Sequence, residues 1–351
     1  MIVYWILLIL IIITLTFPVV KHTENTSTIK LIISFILIFI YGAIRVDYGA
    51  DYEGYKLSYE YMQDQIGLDP NHHIEIGFQI ICKILPSYRS LIILLTSLVC
   101  CSYFFLFKDY IYPKYRMFSF ILLFLLTHAF IGQLSGLRNA IPINLLMLSI
   151  PLLKNRKLVL FFGLMLFASF FHTSAPMILP FYFILTPKPL SKGGAYILMF
   201  AAVFYIVFSN IFMASLIYTI IGEWFSRYLL YMDGNVSQSS IISHLYFLML
   251  LAFSAYALNQ EKNGSKLIII KLMICYFFIN FTVTIGLSER LFFYFAPFLV
   301  VGFSIVIENL KNKVVKMVYI SLVFLYFAYR FFEWTSGETY IFYENYKHIF
   351  M

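Results

Sequence analysis

The sequence predicts an all-α polytopic membrane protein: about 12 transmembrane or re-entrant helices joined by outward-facing loops and short interfacial helices. Three observations carry this. Of the 351 residues, 62% are hydrophobic and only 12% charged, where a soluble domain is nearer half apolar and a quarter charged. Apolar runs longer than a dozen residues recur from end to end, and about 20 apolar helical residues cross a hydrocarbon core of about 30 Å. Cations concentrate in alternate short loops, as they do when Lys and Arg set topology. Residues 1–351 read as a single integral membrane domain with no soluble domain between the runs.

In chain order, spans are expected near 2–20, 29–44, 89–107, 117–131, 137–153, 158–171, 175–186, 194–216, 241–258, 267–286, 291–307 and 317–332. The first run has no basic residue before it and no small-residue cleavage site after it, so it reads as a retained span. The loop 45–88 contains two expected helices. Tyr48, Tyr52, Tyr55 and Tyr59 fall at i, i+4, i+7 and i+11, one face of a helix. That face suits sugar rings, or forms an interfacial tyrosine belt. Ile74, Phe78, Ile81 and Leu85 repeat the spacing, with Glu75, Gln79 and Lys83 off the stripe, as in a short amphipathic helix on the membrane surface. His72 and His73 precede it and read as solvated. The pair 158–186 is short for two crossings and carries Pro176 and Pro180, which favours a kinked or re-entrant hairpin. The loop 217–240 and the segment 333–351 either cover an outward cavity or form ordinary surface.

Sides follow from the lysines. With loops 21–28, 108–116, 154–157, 187–193, 259–266 and 308–316 placed inside, and Lys30 at the inner end of its helix, fifteen cations face four acids there. The outer side then holds nine cations and thirteen acids, Lys271 lies within a span, and both termini face outward. This distribution accounts for the pI of about 9.1 and removes nucleic acid as its explanation. Of eight arginines six are outside, but of seventeen lysines only three. Arginine is favoured where a planar fork grips phosphate or carboxylate. Any one outer arginine is accounted for by an outer acid or lipid phosphate; the set points to an anion site.

Four polar points interrupt the apolar sequence, all on the outer side: Arg45 with Asp47 and Asp51; Gly132 through Asn139; Phe171-His172-Thr173-Ser174; and Ser288-Glu289-Arg290. Ionisable groups at membrane depth are costly and mark functional sites by default. Arg138 begins a helix, where a cation opposes the macrodipole, so an anionic partner is expected. His172 reads equally well as an interfacial aromatic with a wet edge. Cys82, Cys100, Cys101 and Cys275 lie in apolar surroundings, without metal-ligand or disulfide spacing. No P-loop or dinucleotide glycine pattern appears.

The order of these elements resembles the EpsG family of bacterial membrane proteins, which includes many O-antigen polymerases of the Wzy type. Arg45, Gly49, Asp51, Tyr52 and Tyr55 resemble its opening Arg–Gly–x–Asp–Tyr–x–x–Tyr pattern. Glu75-Ile76-Gly77-Phe78 resembles its Glu-x-Gly-aromatic element, and Gln133 through Arg138 its Gln–x–x–Arg turn, with stretched spacing. His172-Thr173-Ser174 resembles its His-x-Ser/Thr element, and Glu289-Arg290 followed by Tyr294 its late arginine. The resemblance implies a metal-independent glycosyl polymerase, with an architecture compatible with GT-C glycosyltransferases and an active site facing the periplasm. Its substrates would be oligosaccharide repeat units on undecaprenyl pyrophosphate in the bacterial inner membrane. Membrane lipids and a chain-length regulator would be its other partners, with no cofactor and no nucleic acid. Arginine forks stabilise a departing diphosphate, and Arg45, Arg138, Arg227 and Arg290 are the candidates. A base must take the proton of the acceptor hydroxyl; His172 is the first choice and Asp51 the second. Asp47, Tyr52, Tyr55, Gln133 and Glu289 would hold sugar. A flippase for the same lipid-linked sugar, or the ligase that moves the finished chain, would use similar residues. An acyltransferase would need a nucleophile-and-base pair that the sequence does not offer.

Overall fold

The computed structural model describes residues 2–18, 24–70, 74–127, 129–206, 241–281, 286–337, 340–344 and 346–349, with the backbone alone at 241–242, 280–281 and 286–290. The described residues are mostly helical. Among the described residues, four helices are long and apolar enough to cross a membrane: Glu24–Ile44, Tyr88–Tyr110, Leu291–Asn309 and Lys313–Thr335. The other apolar helices are shorter.

Helices α1 (Ile2–Thr16) and α2 (Glu24–Ile44) pack together and lead into the two-residue strand β1 (Arg45–Val46). Two short helices follow, α3 (Tyr52–Asp64) and α4 (Ile76–Ile84), matching the two amphipathic repeats. Tyr48 precedes α3 rather than joining its face. Gln79, expected off the apolar stripe, is buried: its amide accepts from Asp69 N–H and donates to the carbonyls of Asp69 and Ile74. A reciprocal cap between Ser87 and Ser90 starts α5 (Tyr88–Tyr110), satisfying amide groups that a helix start leaves open.

The expected span 117–131 breaks. Helix α6 ends at Leu125 (Arg116–Leu125) and α7 (Ile131–Ser135) resumes after an irregular stretch. No Pro or Gly stands between Met117 and Ile131, so hydropathy alone gave no sign of it. Side chains take up the freed carbonyls: Tyr4 donates to Phe124 O (2.7 Å), and Tyr103 and Gln133 donate to Ala129 O (2.6 and 2.7 Å). Irregular backbone at membrane depth persists only where protein groups satisfy it in this way. The span 137–153 is likewise divided, into α8 (Leu137–Leu148) and α9 (Ile150–Lys154), with Pro151 in the first turn of α9. Within 158–186, α10 (Leu158–Ser169) is followed only by a 3₁₀ turn (Ala175–Ile178) and α11 (Phe181–Ile184), so the second half of that pair is kinked rather than a continuous helix.

The rest comprises α12 (Lys192–Ile206), α13 (Ile241–Gln260), α14 (Gly264–Phe281), α15 (Gly286–Asn309), α16 (Lys313–Thr335), α17 (Ile341–Glu344) and strand β2 (Lys347–His348). Helix α15 packs against α14, α6, α8 and α13 and forms the centre of the bundle. Its apolar stretch is 78% buried, whereas that of α16 is 22% buried and faces outward. Strands β1 and β2 pair antiparallel, Arg45 opposite His348, so the C-terminal segment docks on the turn after α2. Tyr346 stacks on Tyr41, ring centroids 4.5 Å apart, and Tyr48 meets Tyr343 edge-on. The described residues of the 333–351 segment thus cover the end of the bundle instead of lying free. Gly49 (φ +110°) makes the bend beneath it, where a Cβ would meet the Ser135 side chain at 3.0 Å.

Candidate functional site

At that end of the bundle, one run of contacts joins three of the four polar points of the sequence. Arg45 lies just past the last turn of α2. Its Nη1 donates to Gly42 O and to Thr96 Oγ1 (2.9 Å), and its Nη2 to Leu134 O (2.8 Å). Arg89 donates to Ala43 O and Arg45 O, 2.7 Å each. Two cations therefore cap the open carbonyls of α2, the arrangement a helix C-terminus favours. Arg45 is 1% exposed, and among the described residues it has no ion pair. Burial pushes its guanidinium down to about 10, still charged at neutral pH. The fork expected to grip diphosphate is thus spent on tying α2, α5 and α7 together.

The next contact lies at α7. Asp51, exposed at the start of α3, receives the Ser135 hydroxyl at 3.4 Å, and its N–H donates to Ser135 Oγ at 3.3 Å. Gln133, two residues away, faces inward: it accepts from Asn144 Nδ2 (2.8 Å) and donates to Tyr103 Oη (3.3 Å). Asp47, with positive φ, is exposed and pairs with Lys347 at 2.7 Å. Tyr52 is buried against Tyr88.

Arg138, the second residue of α8, meets Glu75 at 2.7 Å. Glu75 is the anionic partner that a cation at a helix start calls for. Its other oxygen accepts the backbone N–H of Thr173 (3.1 Å). The Arg138 guanidinium lies over the Tyr55 ring, 5.7 Å from its centroid. Burial pushes the Tyr55 hydroxyl up in pKa, Arg138 pulls it down, and nearby Asp51 raises it. Gly77, at the start of α4, donates to Phe170 O (2.8 Å), and a Cβ there would stand 2.6 Å from that oxygen. Only glycine lets α4 approach the end of α10 this closely.

The loop after α10 places His172, which is buried. Its Nδ1 accepts the Ser174 N–H (3.2 Å) and faces Ser174 Oγ (2.7 Å), which in turn meets Tyr294 Oη of α15 (3.0 Å). A backbone N–H can only donate, so Nδ1 is the acceptor and the neutral ring carries its proton on Nε2. The Nδ1 lone pair of His172 is therefore committed within the protein.

A cavity of about 220 Å³ lies between the ends of α6, α14 and α16 and the start of α15. Tyr276, Phe292, Tyr326 and Trp334 form its walls, with Arg330 and Glu333 at its polar side, paired at 2.7 Å. Arg227 lies outside the described residues, as do Glu223, Tyr228, Asp233, His72 and His73. Glu289 and Arg290 fall in the first turns of α15, where the backbone alone is described.

The structure thus brings together Arg45, Asp51, Tyr55, Arg138 and His172 through contacts made by Leu134, Ser135, Glu75 and Thr173. Glu75 is the residue that sequence reasoning left without a site role, although its Glu-x-Gly-Phe setting marked it.

The fold and this polar corner define a helical, membrane-embedded protein whose polar groups meet at one end of its bundle. The EpsG family model matches residues 27–348, nearly the whole chain, and the chain belongs to that family. This is the Wzy-type polymerase-like family, so membership points to polysaccharide synthesis. No curated protein and no solved structure matches the chain significantly.

Proposed function

We propose that this protein is a glycan polymerase that moves a growing chain from undecaprenyl pyrophosphate onto the sugar of the next lipid-linked repeat unit. The reaction runs at the periplasmic end of the bundle, in the bacterial inner membrane. The single observation that carries the reading is Glu75: its two oxygens hold Arg138 and the His172 loop at one point.

In the transfer, an acceptor hydroxyl oxygen bonds to the donor's anomeric carbon. The bond from that carbon to the diphosphate oxygen breaks, and the acceptor proton passes to a base. Arg138, held by Glu75 and Tyr55, meets the charge that develops on the departing diphosphate. Arg227 and Arg290 remain candidates for the same clamp, and Arg45 acts by positioning α7. Asp51 is the better base, because it is exposed and only loosely held by Ser135, whereas the Nδ1 lone pair of His172 is committed. His172 donates through Nε2. Tyr55 and the aromatic cavity at Trp334 offer flat faces for sugar.

Purified protein reconstituted with a defined undecaprenyl-pyrophosphate repeat unit tests this. Products of two or more units with release of undecaprenyl pyrophosphate support it. In cells, loss of the gene leaves single-unit glycolipid for a polymerase, and no surface sugar for a flippase or ligase. A ladder of intact length in that strain would remove the proposal.

A further inference from the structure

The opposite end of the bundle carries a second, larger cavity of about 900 Å³. It opens where the last turns of α1 and α5 meet the first turns of α2 and α6. The 21 residues of α2 separate it from Arg45, a rise of roughly 30 Å. Lys30, Lys108, Lys114, Arg116 and Lys266 line it, against the acids Glu24 and Asp109. Lys266 is neutralised by Glu308 at 2.7 Å. Among the described residues, none of the other four cations has an ion pair. Lys30 donates to the Leu15 and Phe17 carbonyls at the end of α1 (2.9 and 2.6 Å). Arg116 is 5% exposed; its Nη1 donates to Ser27 O and Oγ, and its buried Nε has no hydrogen-bond partner.

Two features make this end short of negative charge. Arg116 is the first residue of α6 and Lys266 the third of α14, so both cations stand at positive helix ends, and the first turns of α2 border the same cavity. Helix starts attract anions and repel cations. Beside the cavity, Ile29, Tyr112 and Met117 present exposed apolar surface, where an acyl chain would lie.

We infer that this cavity binds the phosphate headgroup of an acidic phospholipid from the leaflet at the lysine-rich end, Arg116 supplying a buried contact and Lys108 and Lys114 the exposed ones. Basic pockets among membrane helices bind such headgroups. The inference is independent of the polymerase reading.

Native mass spectrometry of the purified full chain tests it, titrated with dioleoyl phosphatidylglycerol, with dioleoyl phosphatidylcholine, or with inorganic phosphate. Phosphatidylglycerol should be retained in preference. Lys108→Gln with Lys114→Gln, both exposed, should lower its affinity by roughly twenty-fivefold, at about fivefold per lysine. Lys311→Gln with Lys313→Gln, exposed lysines away from the cavity, should change it little. Equal retention of the two lipids, an unchanged K108Q/K114Q affinity, or an equal loss in K311Q/K313Q would overturn the inference. So would inorganic phosphate that displaces phosphatidylglycerol at equal concentration, because the ligand would then be a free anion.

Discussion

Glu75 stands 2.7 Å from Arg138 and is held on its other oxygen by the Thr173 N–H. Both side chains are largely buried, at 11% and 21% exposed, so the pair fixes the guanidinium in place before substrate arrives. Removing one partner of a buried pair leaves an uncompensated charge, at a cost of about 3 kcal/mol or more. Arg138→Gln should lower the melting temperature and cut polymerisation by about a hundredfold or more. Arg138→Lys should rescue little, since a point charge cannot replace the fork. Repeat-unit turnover and thermal unfolding in detergent separate the two effects. An R138K enzyme with normal turnover would argue against a diphosphate role.

The base assignment rests on Nδ1 of His172 being occupied. Asp51→Asn is therefore expected to cost about 10²- to 10⁴-fold in kcat, the range for a lost general base. His172→Gln, which keeps a donor, should cost much less. Single-turnover rates of both variants at saturating substrate decide the matter. The reverse order of effects returns the base role to His172.

Arg45 makes three hydrogen bonds inside the bundle, and each buried acceptor left open costs about 1–3 kcal/mol. Arg45→Ala is expected to reduce folded protein in the membrane rather than kcat per folded molecule. Size-exclusion recovery alongside turnover checks this. A well-folded, inactive R45A protein would instead place Arg45 at the substrate.

Gly77→Ala sets a Cβ against the Phe170 carbonyl at a distance that real contacts do not show. The α4 start and the His172 loop must then separate, which pulls Glu75 from Thr173. Turnover should fall with only modest loss of stability, as read by the same two assays.

If the aromatic cavity holds sugar, Trp334→Ala should raise KM for the acceptor by about two- to tenfold, the scale of one aromatic contact, with kcat nearly unchanged. A change in kcat alone would detach this cavity from sugar binding.

Much of this was legible in the sequence. Hydropathy fixed the membrane class, and helical spacing marked α3 and α4. The need to compensate Arg138 at a helix start anticipated an acid without naming it. The break between α6 and α7 was not legible, because it is sustained by Tyr4, Tyr103 and Gln133, which reach the freed carbonyls or stand beside them only in the folded bundle.

Taken by itself, the sequence determined that the chain is helical and membrane-embedded, and which polar residues interrupt its apolar runs, because hydropathy, period and charge are properties of a segment. Only the tertiary structure decided which of those residues share a site. Glu75 meets Arg138 across 63 positions and Thr173 across 98, and Ser174 meets Tyr294 across 120. Hydrogen bonds act over about 3 Å, so pairings at such separations exist only once the helices have packed.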